Sequence, residues 1–204
     1  MLTLAGCAQH PKQPITPTAP INAKQSEQRW QHHQQQLSAL DHWQAEGRMA
    51  AAHGQKGGNA SFVWVQRGDA YQIKLFGPFG SGAIYINGRP QYVELRESNG
   101  KTTQAQSPEM LLKKVAGWQV PLTGLQHWMR GMPMPQAQSS QQQLDSQGQL
   151  KHLTQQGWQI EYEEYQNNSM PALPSKLRLQ NGDTKLKMIV TSWKALGSSP
   201  RKVD

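Results

Sequence analysis

The chain has 204 residues, a net charge of +8, 36% hydrophobic residues and a single cysteine, with a mean hydropathy of −0.75. One cysteine excludes an internal disulfide, and from residue 25 onward no stretch approaches the roughly 18 apolar residues that a spanning helix needs. The 21 Lys and Arg residues are spread over the whole length, no denser than Lys113-Lys114 or Lys185-Lys187. Nucleic-acid binding would need a focused basic face instead. A diffuse positive field suits anionic lipid head groups, an acidic partner, or plain solubility.

The first motif is Leu4-Ala5-Gly6-Cys7. An aliphatic residue, two small residues and a cysteine form the pattern processed in bacterial lipoproteins, where the thiol is acylated and becomes the mature N-terminus. Residues 1–6 supply neither the positive segment nor the apolar core of a whole secretory signal. They are expected to be a truncated lipoprotein signal peptide; the alternative is a chance match and an inert thiol. Ala8, in place of the aspartate that commonly retains lipoproteins at the inner membrane, points to the outer membrane. Residues 7–24 follow as an anchor and linker. Pro11, Pro14, Pro17 and Pro20 recur every third residue, the period of polyproline II. At about 3.1 Å per residue such a tether reaches roughly 50 Å.

Residues 25–196 then read as one domain, with 197–204 as a tail. Residues 25–40 contain no Gly or Pro, and Trp30, His33, Leu37 and Leu40 recur at helical spacing. Alternation takes over further on. Phe62 and Trp64, Tyr71, Ile73 and Leu75, Ile84 and Ile86, and Val93 and Leu95 point one way, while Gln72, Lys74, Tyr85 and Glu94 point the other. Turn signals at Arg67-Gly68-Asp69, Asn87-Gly88-Arg89-Pro90 and Ser98-Asn99-Gly100 separate these strands. Between two of them lies Gly77-Pro78-Phe79-Gly80-Ser81-Gly82. Its glycines and proline put Phe79 on an exposed tip, where it either enters a bilayer or a partner's pocket, or folds back onto the sheet edge.

Two short helices come next. Ser107-Pro108-Glu109 has the order of an N-cap, a first-turn proline and an early acid, and opens a helix ending near Gly117. Residues 121–130 form another, with Leu122, Leu125, Trp128 and Met129 on its apolar side. Alternation resumes at Trp158, Ile160 and Tyr162, at Leu177 and Leu179, and at Leu186, Met188 and Val190. Strands joined by short turns pair antiparallel, and a consistently apolar face implies a sheet curled around it with the helices as cover. The fold class is α+β.

Catalytic constellations are absent from the pattern. The histidines at 10, 32, 33, 42, 53, 127 and 152 include no helical metal pair, and Glu161 and Glu163 share the strand face opposite Trp158 and Ile160. There is no G-x-S-x-G and no glycine-rich phosphate loop. Neither an enzyme nor a cofactor or metal is expected.

The combination resembles the outer-membrane lipoprotein receptors of the LolB family. The resemblance is carried by Gly117-x-x-Val120-Pro121-Leu122-x-x-Leu125-x-x-Trp128-Met129-x-Gly131-x-Pro133. Trp158-x-Ile160-x-Tyr162, Leu186-Lys187-Met188 and Trp193 support it. The turn Pro78-Phe79-Gly80-Ser81 matches the family's protruding loop, with Phe in place of the usual Leu. What the resemblance implies is an unclosed, strongly curved antiparallel β-barrel whose helices cover an apolar cavity for acyl chains. Its expected lining is Phe62, Trp64, Ile73, Leu75, Ile84, Ile86, Val93 and Leu95, with Leu111, Val115, Leu125 and Trp128 from the lid and Ile160, Leu179 and Met188 from the last strands. By composition alone, such positions are more often solid core than cavity.

The implied function is receipt of lipoproteins from LolA, a soluble periplasmic carrier of similar fold, docked mouth to mouth. Insertion into the outer membrane follows through the loop at Pro78, Phe79 and Gly80, without nucleotide. The expected partners are that carrier, the acyl chains of client lipoproteins and outer-membrane lipids. Nucleic acid is not among them. The protein is expected to be a monomer at the periplasmic face, anchored through Cys7. The competing readings are a tethered scaffold with a filled core and a lipid-binding module that retains its ligand.

Overall fold

The computed structural model describes residues 23–77, 82–116, 120–166 and 171–196. Helix α1 (Ala23–Ser38) leads into strands β1 (His42–His53), β2 (Lys56–Arg67), β3 (Ala70–Phe76), β4 (Ile84–Arg89), β5 (Tyr92–Glu97) and β6 (Thr102–Ala105). Helices α2 (Pro108–Ala116) and α3 (Leu122–Trp128) follow. The chain ends in β7 (Ser139–Leu144), β8 (Leu150–Gln155), β9 (Trp158–Gln166), β10 (Leu173–Asn181) and β11 (Thr184–Ala195).

All eleven strands form one antiparallel sheet in the order β6-β5-β4-β3-β2-β1-β11-β10-β9-β8-β7. Two meanders, β1 to β6 and β7 to β11, meet at the long β1–β11 pair, where Met49 faces Met188 and Ala51 faces Leu186. Edge strands β6 and β7 do not pair with each other, so the barrel stays open. The segment joining those two edges contains α2 and α3. It crosses the open side, which makes it the cover.

Burial follows the two periodicities. On α1, Trp30 and Leu37 are buried with His33 beside them. Ser107 caps α2, its Oγ accepting from Met110 N at 3.2 Å. Along β9, Trp158, Ile160 and Tyr162 face in while Gln159 and Glu161 stay exposed. Glycine is required at Gly47, where β1 has a register shift, because a Cβ there would collide with the backbone carbonyl of Ile189. Gly88 likewise leaves room for the Tyr71 ring of the neighbouring strand.

The sequence-predicted helices appear at Ala23–Ser38, Pro108–Ala116 and Leu122–Trp128. Four strands, β1, β6, β7 and β8, were not expected from the sequence. β1 carries Ala50-Ala51-Ala52, and β7 reads Ser-Ser-Gln-Gln-Gln-Leu, so neither shows large apolar alternation.

Candidate functional site

Under the cover lies an apolar hollow of about 360 Å³. Strands β2 to β5 contribute Phe62, Trp64, Ile73, Leu75, Ile84, Ile86 and Leu95; β11 adds Met188, and the cover adds Leu112, Val115, Val120, Leu122 and Leu125. The far end is walled by the small residues Ala51, Gly58 and Ala60, with Met49 and exposed Asn59. Trp64 brings an indole N–H, but it donates to Gln66 Oε1 at 2.9 Å, and Gln66 Nε2 donates in turn to Gly68 O at 2.7 Å. The indole N–H is thereby satisfied within the wall.

Of the sequence-predicted lining, Phe62, Trp64, Ile73, Leu75, Ile84, Ile86, Leu95, Val115, Leu125 and Met188 come together around this hollow. Val115 is 40% exposed and stands at its margin. Val93, Leu111, Trp128, Ile160 and Leu179 do not reach this hollow; all five are buried, and Ile160 and Leu179 border a second hollow among β7 to β11. Leu111 lies one position off, so that Leu112 and Val115 form the face of α2 turned to the hollow. Trp128 is drawn away by polar and aromatic contacts. Its Nε1 donates to Gln155 Oε1 at 2.9 Å, and its ring lies 6.2 Å from that of Trp158. Ile160 and Leu179 belong to the other meander. Cys7 and the loop residues Pro78, Phe79 and Gly80 lie outside the described residues.

Met49, Ala51, Gly58, Asn59, Ala60, Leu112, Val120 and Leu122 line the hollow without having been singled out for it. Leu112 and Leu122 carried a helical signal. The alanines and Gly58 carried none, because a small residue contributes to a cavity by what it leaves empty.

The cover is held at three points. Glu109 of α2 reaches α3, where its Oε1 accepts from Thr123 Oγ1 at 2.6 Å and from Thr123 N at 3.3 Å. This carboxylate serves as the N-terminal cap that Pro121 cannot supply. Gln155, fully buried on β8, is the second. Its Oε1 accepts from Trp128 Nε1 and from Met134 N at 2.8 Å, while Nε2 donates to Met134 O at 3.1 Å and Ala137 O at 2.7 Å.

Arg130 is the third. Its Nη1 donates to Leu37 O at 3.2 Å and Leu40 O at 2.6 Å, which ties the end of α1 to α3. Nη2 donates to His127 Nδ1 at 3.2 Å. Burial, with the Arg130 charge beside it, pulls the His127 pKa down to about 4, so this imidazole is neutral and accepts.

The second hollow, about 990 Å³, lies among β7 to β11 and the β1–β2 hairpin; amides and charges, including Arg178, Lys185, Lys187 and Glu161, line it together with Leu153, Ile160, Leu179, Leu186 and the alanines of β1. It is mixed in character and shares Ala51, Gly58 and Asn59 with the apolar hollow. Glu163 pairs with Lys176 at 3.0 Å and with Arg178, and Glu164 pairs with Lys176 at 3.0 Å. These carboxylates are ion-pair partners on the outer face. Among the described residues no cluster of three potential metal ligands occurs.

The family model for outer membrane lipoprotein LolB matches residues 41–193. Curated relatives bear the name outer-membrane lipoprotein LolB. One from Stutzerimonas stutzeri is 34% identical over 192 residues, covering 94% of this chain and 90% of the relative. One from Ectopseudomonas mendocina is 37% identical over 190 residues, covering 93% and 90%. Among solved structures, a DUF1329 family protein from Desulfovibrio piger shares the fold with a TM-score of 0.51 at 8% identity, covering 89% of this chain and 96% of that one.

Proposed function

Because the chain belongs to the LolB family of outer-membrane lipoproteins, we propose that it takes acyl chains of client lipoproteins from a periplasmic carrier of the LolA type and releases them into the outer membrane. The observation that supports this reading is an unfilled hollow walled by aliphatic and aromatic side chains under a helical cover. At about 30 Å³ per methylene, close to the volume share of a liquid water, the hollow holds on the order of a dozen methylenes. Each methylene kept from water is worth about 0.8 kcal/mol, so shelter of this size is worth on the order of 10 kcal/mol. A chain with that stake moves between apolar enclosures by differential affinity. Neither a nucleotide nor a covalent step is required.

The remaining parts follow from chemistry. Cys7 tethers the protein through its own acyl chains at the periplasmic face, and the linker carries the domain as a monomer. The carrier docks at the mouth, guided by the positive field. Phe79, with Pro78 and Gly80, enters the bilayer and opens the release route. The family residues carry no catalytic role in this scheme. The test is a transfer experiment. A carrier loaded with triacylated lipoprotein is mixed with the Cys7→Ala chain, and the client's partition between the two is followed. Movement of the client onto this protein is expected; retention on the carrier would refute the reading.

A further inference from the structure

A row of paired cations and rings crosses the outer face of β3, β4 and β5. Lys74, Tyr85 and Arg96 sit directly opposite one another on adjacent strands. Lys74 Nζ lies 5.7 Å from the centre of the Tyr85 ring and 5.3 Å from that of Phe76, and the Arg96 guanidinium lies 5.0 Å from Tyr85 on the other side. Both cations are exposed and both rings half-buried. Among the described residues neither cation forms an ion pair. Glu94, one pair further along this face, accepts from Gln104 Nε2 at 3.0 Å and from Tyr92 Oη at 2.9 Å. These bonds hold its pKa down, and the Arg96 charge helps without a contact ion pair.

Rings beside cations that form no ion pair on a protein surface match the membrane interface, where amphipathic aromatics sit at head-group level and cations meet phosphate. The row also stands where β3 ends and β4 begins, so it flanks the chain segment that carries Phe79. We propose that this outer face of β3–β5 is the surface that lies on the bilayer and binds anionic phospholipid head groups through Lys74 and Arg96, with Tyr85 and Phe76 at the same depth. The proposal rests on the acyl-transfer reading for its orientation and adds the lipid class and the contact residues.

The test compares the Cys7→Ala chain with the same chain carrying Lys74→Gln and Arg96→Gln. Partition onto phosphatidylethanolamine vesicles with and without phosphatidylglycerol is measured at low and high salt, beside uptake of a fluorescent fatty acid in solution. Each cation near an anionic surface is worth about fivefold, so the double variant should bind phosphatidylglycerol vesicles about thirtyfold more weakly. Its fatty-acid uptake should match that of the parent. The control, Lys185→Gln with Lys187→Gln, removes equal charge from β11 and should have a much smaller effect. Unchanged vesicle binding by the first pair, or equal losses from both pairs, would overturn the proposal. Failure of the parent to take up fatty acid would instead strike at the acyl-transfer reading, in a separate readout.

Discussion

Ala60→Phe should reduce acyl-chain affinity without unfolding the protein. Ala60 lies on β2 two residues before Phe62, lines the hollow, and faces Met49 across the sheet. The added ring enters volume that is already empty, and phenylalanine suits a strand. It removes room for roughly three to four methylenes at about 30 Å³ each. Leaving that many in water costs about 3 kcal/mol, on the order of 100-fold in affinity. Titration with a fluorescent fatty acid measures the affinity, and a thermal melt reports on the fold. Leu177→Ala is the contrasting control: this fully buried residue lies outside the hollow, so its removal should cost about 2–5 kcal/mol of stability while the folded fraction binds normally. A folded Ala60→Phe protein with unchanged affinity would show that acyl chains do not occupy this space.

Other expectations concern the cover, its pH response and release. Gln155→Leu strands the Trp128 and Met134 N–H groups and the Met134 and Ala137 carbonyls. It should cost about 3–5 kcal/mol, and an unchanged urea midpoint would show that the network does not support the fold. His127 is depressed to about 4 by burial and Arg130, and burial lowers His33 as well. The unfolded chain therefore binds these protons more readily, and stability should be complete above about pH 6.5 and decline as pH falls toward 4. His127→Gln should flatten that slope in urea titrations between these limits; an unaltered slope would assign the dependence elsewhere. For release, Phe79→Glu should accept acyl chains normally yet fail to deliver lipoproteins to liposomes, and normal delivery would remove the loop from the mechanism.

Much of this was legible because large side chains announce themselves. The alternation through Phe62, Trp64, Ile73, Leu75, Ile84 and Ile86 is a period-two signal, and those residues do face the hollow. Helical spacing placed α1, α2 and α3 within a few residues. What escaped lacked bulk. β1, at the centre of the sheet, owes its place to pairing with β2 and β11 along its whole length, a long-range fact that its alanines do not encode. Trp128 misled for the opposite reason. Its place on the apolar side of α3 marked it as lining, but the indole N–H needed a buried acceptor and Gln155 of β8 supplied one.

The same contrast in bulk explains where the apolar hollow sits. In β8 to β11 the inward positions include Leu153, Ile160, Leu177, Leu179 and Leu186, each at most 2% exposed, so large side chains cover that side of the sheet. Across the β1–β2 hairpin the equivalent positions shrink to Ala51, Gly58 and Ala60, and the volume they leave is the end wall of the cavity. A well-packed interior does not leave such space without losing contacts on every lining atom. The apolar part of that loss lies on the side that α2 and α3 cover. Gln155 holds α3 to β8 and Arg130 ties it to the end of α1, while Met110 and Val115 leave α2 with exposed apolar side chains. Unfilled volume and an incompletely buried helix thus meet at one margin, and an aliphatic chain entering there would satisfy both.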